Sequence, residues 1–234
     1  MVYDHTLFVQ TLSAFTHTLL TPYDTQTMLE ELTDRVTAVL NLTGSGVVLA
    51  VDGHLTLASA MPTAVAELER LQEQQESGPS WDAFRTGEPV TVADLREHRS
   101  EWAAFREGAE RLGLRAVAAV PMELEEWCVG ALSLYAAEPR EWPEEDVAAT
   151  TALADMATGY LVNASKLRQQ EQLAEQLQTA LDSRVVIEQA KGMVAAAEGI
   201  TVDEAFARLR RYARDRNLVL RAVAQQVVSE GLRP

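Results

Sequence analysis

From Pro143 onward the sequence reads as helix for about fifty residues, as far as Gly199. Along it Leu153, Met156, Tyr160, Asn163, Leu167, Gln170, Ala174, Leu177 and Leu181 alternate spacings of three and four, the seam of a coiled coil. An apolar seam has to be covered. One long helix packed on its own domain covers it only as far as about Ser165, because little else in the chain remains to reach the rest. The expected cover is a second copy, giving a homodimer through the linker helix. Asn163 and Gln170 weaken such a pairing and fix its register.

The segment ahead of this helix mixes two periods. Helical spacing runs from Asp4 to Leu20, stopped by Thr21 and Pro22, and again after an Asp24 cap through MLEELTDRVTAVLNL. GVVLAV (Gly46 to Val51) and LTLASA (Leu55 to Ala60) are β-prone runs joined by Asp52-Gly53, a strong hairpin signal. After Pro62 come a polar helix, a short helix, a turn at Gly87 to Pro89 and a strand at Val90 to Val92. A helix from about Ser100 to Leu112 precedes two more strands, Arg115 to Met122 and Trp127 to Ala136, on either side of an acidic turn at Glu123 to Glu126. The fold class is α+β: an antiparallel sheet with helices before, between and after its strands, then a long linker helix and a C-terminal three-helix bundle. The expected division is an N-terminal helix over 1–23, a sheet domain over 24–163, a coiled-coil linker over 164–182 and a C-terminal domain over 173–234.

Charge divides the chain in a similar place. Overall it is −15, but residues 1–182 hold 11 Lys and Arg against 29 Asp and Glu, whereas residues 183–234 hold 9 against 6. An acidic protein is a poor partner for phosphates, so only the basic end suits a polyanion. Cys128 is the single cysteine, which rules out an internal disulfide and a cysteine-rich zinc site. Carboxylates beside it are expected to raise its pKa and leave it inert. His5, His17, His54 and His98 form no pair at metal-ligand spacing, so neither metal nor cofactor is expected. No run approaches the ~18 apolar residues of a membrane helix, and the N-terminus lacks a basic region before its apolar residues, so the expected location is cytoplasmic.

The basic end is organised for contact. Thr201 to Glu204 fits a capping box, starting a helix whose apolar face is Ala205, Phe206, Leu209, Tyr212 and Ala213. Arg210, Arg211 and Arg214 lie opposite, with Arg208 at the edge, and only Asp215 is a nearby acid on that face. Arg184, Glu188 and Lys191 align on the preceding helix. Gly192 stands inside that helix, where glycine costs about 1 kcal/mol relative to alanine. Either a partner approaches its backbone, or the helix packs closely there against Phe206 or Leu209.

Arg184, Ile187 to Gly192, Asp203 to Phe206, Leu209, Ala213, Asn217 and the Ala224 to Val228 segment resemble the ANTAR domain over roughly Leu173 to Ser229. The resemblance implies a dimeric RNA-binding module that acts in bacterial transcription antitermination on paired RNA hairpins. Its candidate RNA-binding residues here are Arg184, Lys191, Gly192, Arg208, Arg210, Arg211 and Arg214. VVLAVDGHLTLASA, GPSWDAFRTGEPVTVADL and AVAAVPMELEEWCVGALSLYA are similar to a GAF domain, about Asp24 to Asn163. That implies a sensor for a small-molecule ligand, with Trp81, Phe84, Trp102 and Phe105 either roofing a ligand pocket or filling the core. The cyclic-nucleotide pattern of some GAF domains is absent. No catalytic motif is present, so the chain is not expected to be an enzyme. The competing readings are a DNA-binding transcription factor, disfavoured because the last helix is mostly apolar, and a protein-docking or dimerisation regulator.

Overall fold

The computed structural model describes residues 3–18, 24–97, 102–124 and 127–234. It divides at Ser165 into two compact units, each with its own core.

In the first unit, α1 (His5–Thr18) and α2 (Thr25–Val39) precede a hairpin of β1 (Gly44–Val51) and β2 (His54–Met61). Asp24 starts α2 by accepting a hydrogen bond from the Thr27 amide at 2.9 Å. Asp52 and Gly53, both at positive φ, turn the hairpin as their sequence requires. Helices α3 (Val65–Gln75) and α4 (Pro79–Thr86), the short strand β3 (Val90–Val92) and α5 (Ala103–Arg111) lead to β4 (Ala116–Leu124) and β5 (Trp127–Ala136). The five strands run in the order β2-β1-β5-β4-β3, every neighbouring pair antiparallel. Glu123 and Leu124, expected in a turn, extend β4 and pair with Cys128 and Trp127. The rest of that acidic turn, like the expected helix ends at residues 19–20 and 100–101, lies outside the described residues.

One core cluster joins α1, α2, the sheet and the start of α6 (Glu144–Glu198): Phe15, Leu29, Leu32, Val36, Leu132, Leu153 and Tyr160 are buried together. The Phe15 and Tyr160 rings meet edge to face at 6.0 Å. The N-terminal helix is therefore part of this core. Asp146, in the first turn of α6, is 1% exposed, and it accepts from the Arg140 guanidinium at 2.8 Å and the Tyr3 amide at 3.1 Å. Its charge also suits the N-terminal end of the helix dipole.

A polar network lies beside the separate cluster that holds Val65, Leu68 and Tyr135. Glu69 on α3 is fully buried and accepts from the Tyr135 hydroxyl at 2.7 Å, the Gln72 amide at 2.9 Å and the Ser80 hydroxyl at 3.3 Å. Ser80 in turn meets Ser133 at 2.6 Å. Any side chain at Gly46 would collide with the Glu69 carboxylate, so this strand glycine is what makes room for the acid. Burial pushes the Glu69 carboxyl above its usual range, partly offset by those hydrogen bonds.

In the second unit, the end of α6 packs with α7 (Val202–Asp215) and α8 (Leu220–Glu230) around Ala190, Val194, Ala205, Leu209, Ala213, Val223, Ala224 and Val227. Gly199 at φ 65° ends α6, and Asn217 at φ 53° separates α7 from α8.

A carboxyl whose pKa is raised by folding stabilises the fold below its unfolded pKa, near 4.5, and loses that contribution as pH rises through its folded value. Urea unfolding from about pH 5 to about pH 8 should therefore show the native protein losing stability relative to Glu69→Gln as pH rises. A constant difference between the two would show that Glu69 does not titrate in this way.

Candidate nucleic-acid interface

The Thr201 hydroxyl accepts from the Glu204 amide at 3.3 Å, and the Thr201 amide donates to the Glu204 carboxylate at 2.8 Å. This capping box sets where α7 begins, and so which of its residues face inward. Ala205, Leu209 and Ala213 point into the core, Phe206 and Tyr212 are half-buried, and Arg208, Arg210, Arg211 and Arg214 are exposed.

These cations are held in different ways. Lys191 lies 5.1 Å from the Phe206 ring centroid, and Arg210 lies 5.7 Å from the same ring. Two positive groups from separate helices thus converge on one aromatic side chain, which attracts both through its quadrupole. Lys191 also donates to both carboxylate oxygens of Glu188, each at 2.9 Å. Arg208 pairs with Glu198 on α6 at 3.1 Å, so it is not one of the guanidinium groups left without a local acid. Arg214 lies 4.0 Å from its neighbour Asp215. Arg184 and Arg211 are exposed and form no ion pair among the described residues.

Gly192 follows Lys191 on an exposed face. Beyond its own turns of helix, a methyl group there would meet no atom within 4 Å among the described residues. Close packing against Phe206 or Leu209 is therefore not what this glycine serves, and the backbone beside Lys191 is open to an incoming group.

Phe206 and Arg216 are missing from the sequence-derived set. Arg216 stacks 3.8 Å from the Tyr212 ring centroid. Both contacts had a local signal, since Phe206 and Arg210, and Tyr212 and Arg216, are four residues apart on a helix. The Arg208–Glu198 pair had none, because a turn separates the partners.

In the first unit the four aromatic residues fill the interior. Trp81 packs with Val48, Leu55 and Ala131, half-buried Phe84 joins it, and Trp102 and Phe105 pack with Val65, Leu68 and Tyr135. Trp102 donates to Asp82 at 3.1 Å, while the buried Trp81 indole N–H has no partner among the described residues. A cleft of about 570 Å³ opens elsewhere, lined by Arg96, Arg106 and Arg115 together with Glu107, Glu110 and Glu138; none of the four aromatics lines it. Cys128 donates weakly to the Gly130 carbonyl at 3.4 Å. Burial, and then the charge of Glu123, hold its thiol above the usual range, so burial matters more there than the neighbouring carboxylates.

Among known families, residues 23–161 match the GAF domain and residues 175–228 match the ANTAR domain. The chain belongs to the GAF domain family and joins its GAF domain to a C-terminal ANTAR domain, the architecture of a signal-responsive regulator. Its first unit is similar to the GAF domain of a phosphoenolpyruvate-protein phosphotransferase from Coxiella burnetii, at 16% identity and TM-score 0.55, covering 69% of this chain and 96% of the other. The corresponding Acinetobacter domain gives 12% identity and TM-score 0.52 over 68% and 94%. A GAF domain/HD domain protein from Geobacter sulfurreducens gives 14% and 0.50 over 62% and 97%. At these identities the likeness is one of fold. No curated protein sequence matches the chain.

Because nothing occupies the space where a Gly192 side chain would go, Gly192→Ala should stabilise the C-terminal unit by up to about 1 kcal/mol through helix propensity alone. Denaturant unfolding of the full chain checks this; a loss of stability would mean that the helix needs glycine there.

Proposed function

We propose that this chain is a non-enzymatic, signal-responsive antitermination regulator that binds paired RNA hairpins as a dimer in the cytoplasm. The observation that carries the reading is the meeting of Lys191 and Arg210 at Phe206, beside the open backbone of Gly192, on an ANTAR domain. Arg184, Arg208, Arg211 and Arg214 extend the basic surface to phosphates, which supply most of the affinity in such complexes. Gly192 lets the RNA come close to the helix. In RNA, shape, phosphates and unpaired loop bases are the usual targets.

The dimer rests on the linker. Leu153 and Tyr160, the first part of the seam, are buried within the GAF unit and are not available for pairing. Farther along, Leu167, Leu177 and Leu181 are 54%, 58% and 59% exposed. A second α6 pairing on this stretch would cover them. The described helices include none long and apolar enough to cross a membrane. The GAF unit would sense a small ligand or transmit the signal.

Fluorescence anisotropy with a labelled RNA of two adjacent hairpins, a loop-scrambled RNA and a duplex DNA tests the reading. Loop-dependent binding to the paired hairpins is expected. Arg210→Ala or Arg211→Ala should weaken it and lower the salt slope by about 1 each. Gly192→Ala should weaken it while stabilising the fold, a combination that simple misfolding would not produce. Equal binding to all three nucleic acids would leave only a nonspecific basic patch. For the dimer, Leu177→Asp should shift the sedimenting species from dimer to monomer; an unchanged mass would remove the linker from the interface.

A further inference from the structure

Lys191 differs from its neighbours in the basic patch. Its side chain is 14% exposed, against 45% for Arg208 and 79% for Arg214. Its ammonium group has three donors and no acceptor. The Phe206 ring lies against it, and both oxygens of Glu188 bind it at 2.9 Å. Glu188 is the more exposed of the pair at 55%. The lysine is therefore already supplied with an anion of the same charge and acceptor chemistry as a phosphate oxygen.

An RNA phosphate reaching for Lys191 has to take the place of that carboxylate, because two anions at one ammonium repel each other. We propose that Glu188 is a specificity-determining residue, an internal stand-in for phosphate that nucleic acid must displace from Lys191. The inference rests on the RNA-binding reading above. Its effect is selective. A partner that also contacts the open backbone at Gly192 and the neighbouring arginines offsets the displacement, whereas a polyanion offering phosphates alone gains little at Lys191. Built-in repulsion of this kind separates right partners from wrong ones without strengthening the right complex.

The test compares the full-length protein with Glu188→Gln, Lys191→Met and the double variant, on the paired-hairpin RNA, the loop-scrambled RNA and duplex DNA. Glu188→Gln should tighten binding to the scrambled RNA and the DNA about two- to fivefold, the scale of an exposed ion pair, with a smaller gain on the paired hairpins. The gain should vanish when Lys191 is Met. Circular dichroism melts check that all variants fold. A gain that persists without Lys191 would reduce Glu188 to a general surface charge, and weaker hairpin binding by Glu188→Gln would mean that Glu188 itself contacts the RNA; either overturns the inference. A wild-type protein that binds none of the three sinks the RNA reading and this inference together, whereas wild-type binding left unchanged by Glu188→Gln removes the inference alone.

Discussion

Helix α6 carries one continuous hydrogen-bond ladder through three environments, and both compact units are built on it. Near its start, Leu153, Ala157 and Tyr160 sit in the GAF core; near its end, Ala190 and Val194 sit in the three-helix core. Between them Leu173, Leu177 and Leu181 are exposed among the described residues. A helix of this length resists melting locally, because interrupting it sacrifices several backbone hydrogen bonds at once. It also carries an exposed apolar stretch along its middle.

The C-terminal unit has a different problem, the close placement of many like charges. It manages them without neutralising them all. Phe206 and Tyr212 attract cations to their ring faces, Glu188 and Glu198 hold one each, and Arg211 stays in solvent. The aromatic contacts preserve positive charge, whereas the carboxylates mask it. The patch is therefore graded, with some cations paired to carboxylates and others exposed.

The GAF unit places polar groups where many cores are apolar. Glu69, Gln72, Ser80, Ser133 and Tyr135 satisfy one another in full burial, and Gly46 admits the carboxylate. Such a network is stable only when its members are all present, which ties α3, α4 and β5 to one arrangement. The aromatic side chains that the fold could have used to roof a cavity pack into the same interior.

Much of the local architecture was legible in the sequence because its causes are local. Asp52-Gly53 specified a hairpin, Thr201 and Glu204 specified the start of α7, and three-four spacing specified a helix from Pro143 to Gly199. The separation of Ala205, Leu209 and Ala213 from the arginines followed from helical geometry alone. Tertiary structure decided what covers each apolar face and what meets each charge. The same seam that reads as uniform in sequence is buried at Tyr160 and exposed at Leu177, because only the first joins the core cluster, where it meets Phe15 of α1. Gly192, for which close packing was one of two readings, proved open, and Gly46, at the head of a β-prone run, proved crowded. Arg208 found Glu198, and Glu69 found Tyr135, across distances in sequence that no periodicity spans. Periodicity determines which face of an element is apolar; only the assembled fold determines what that face touches.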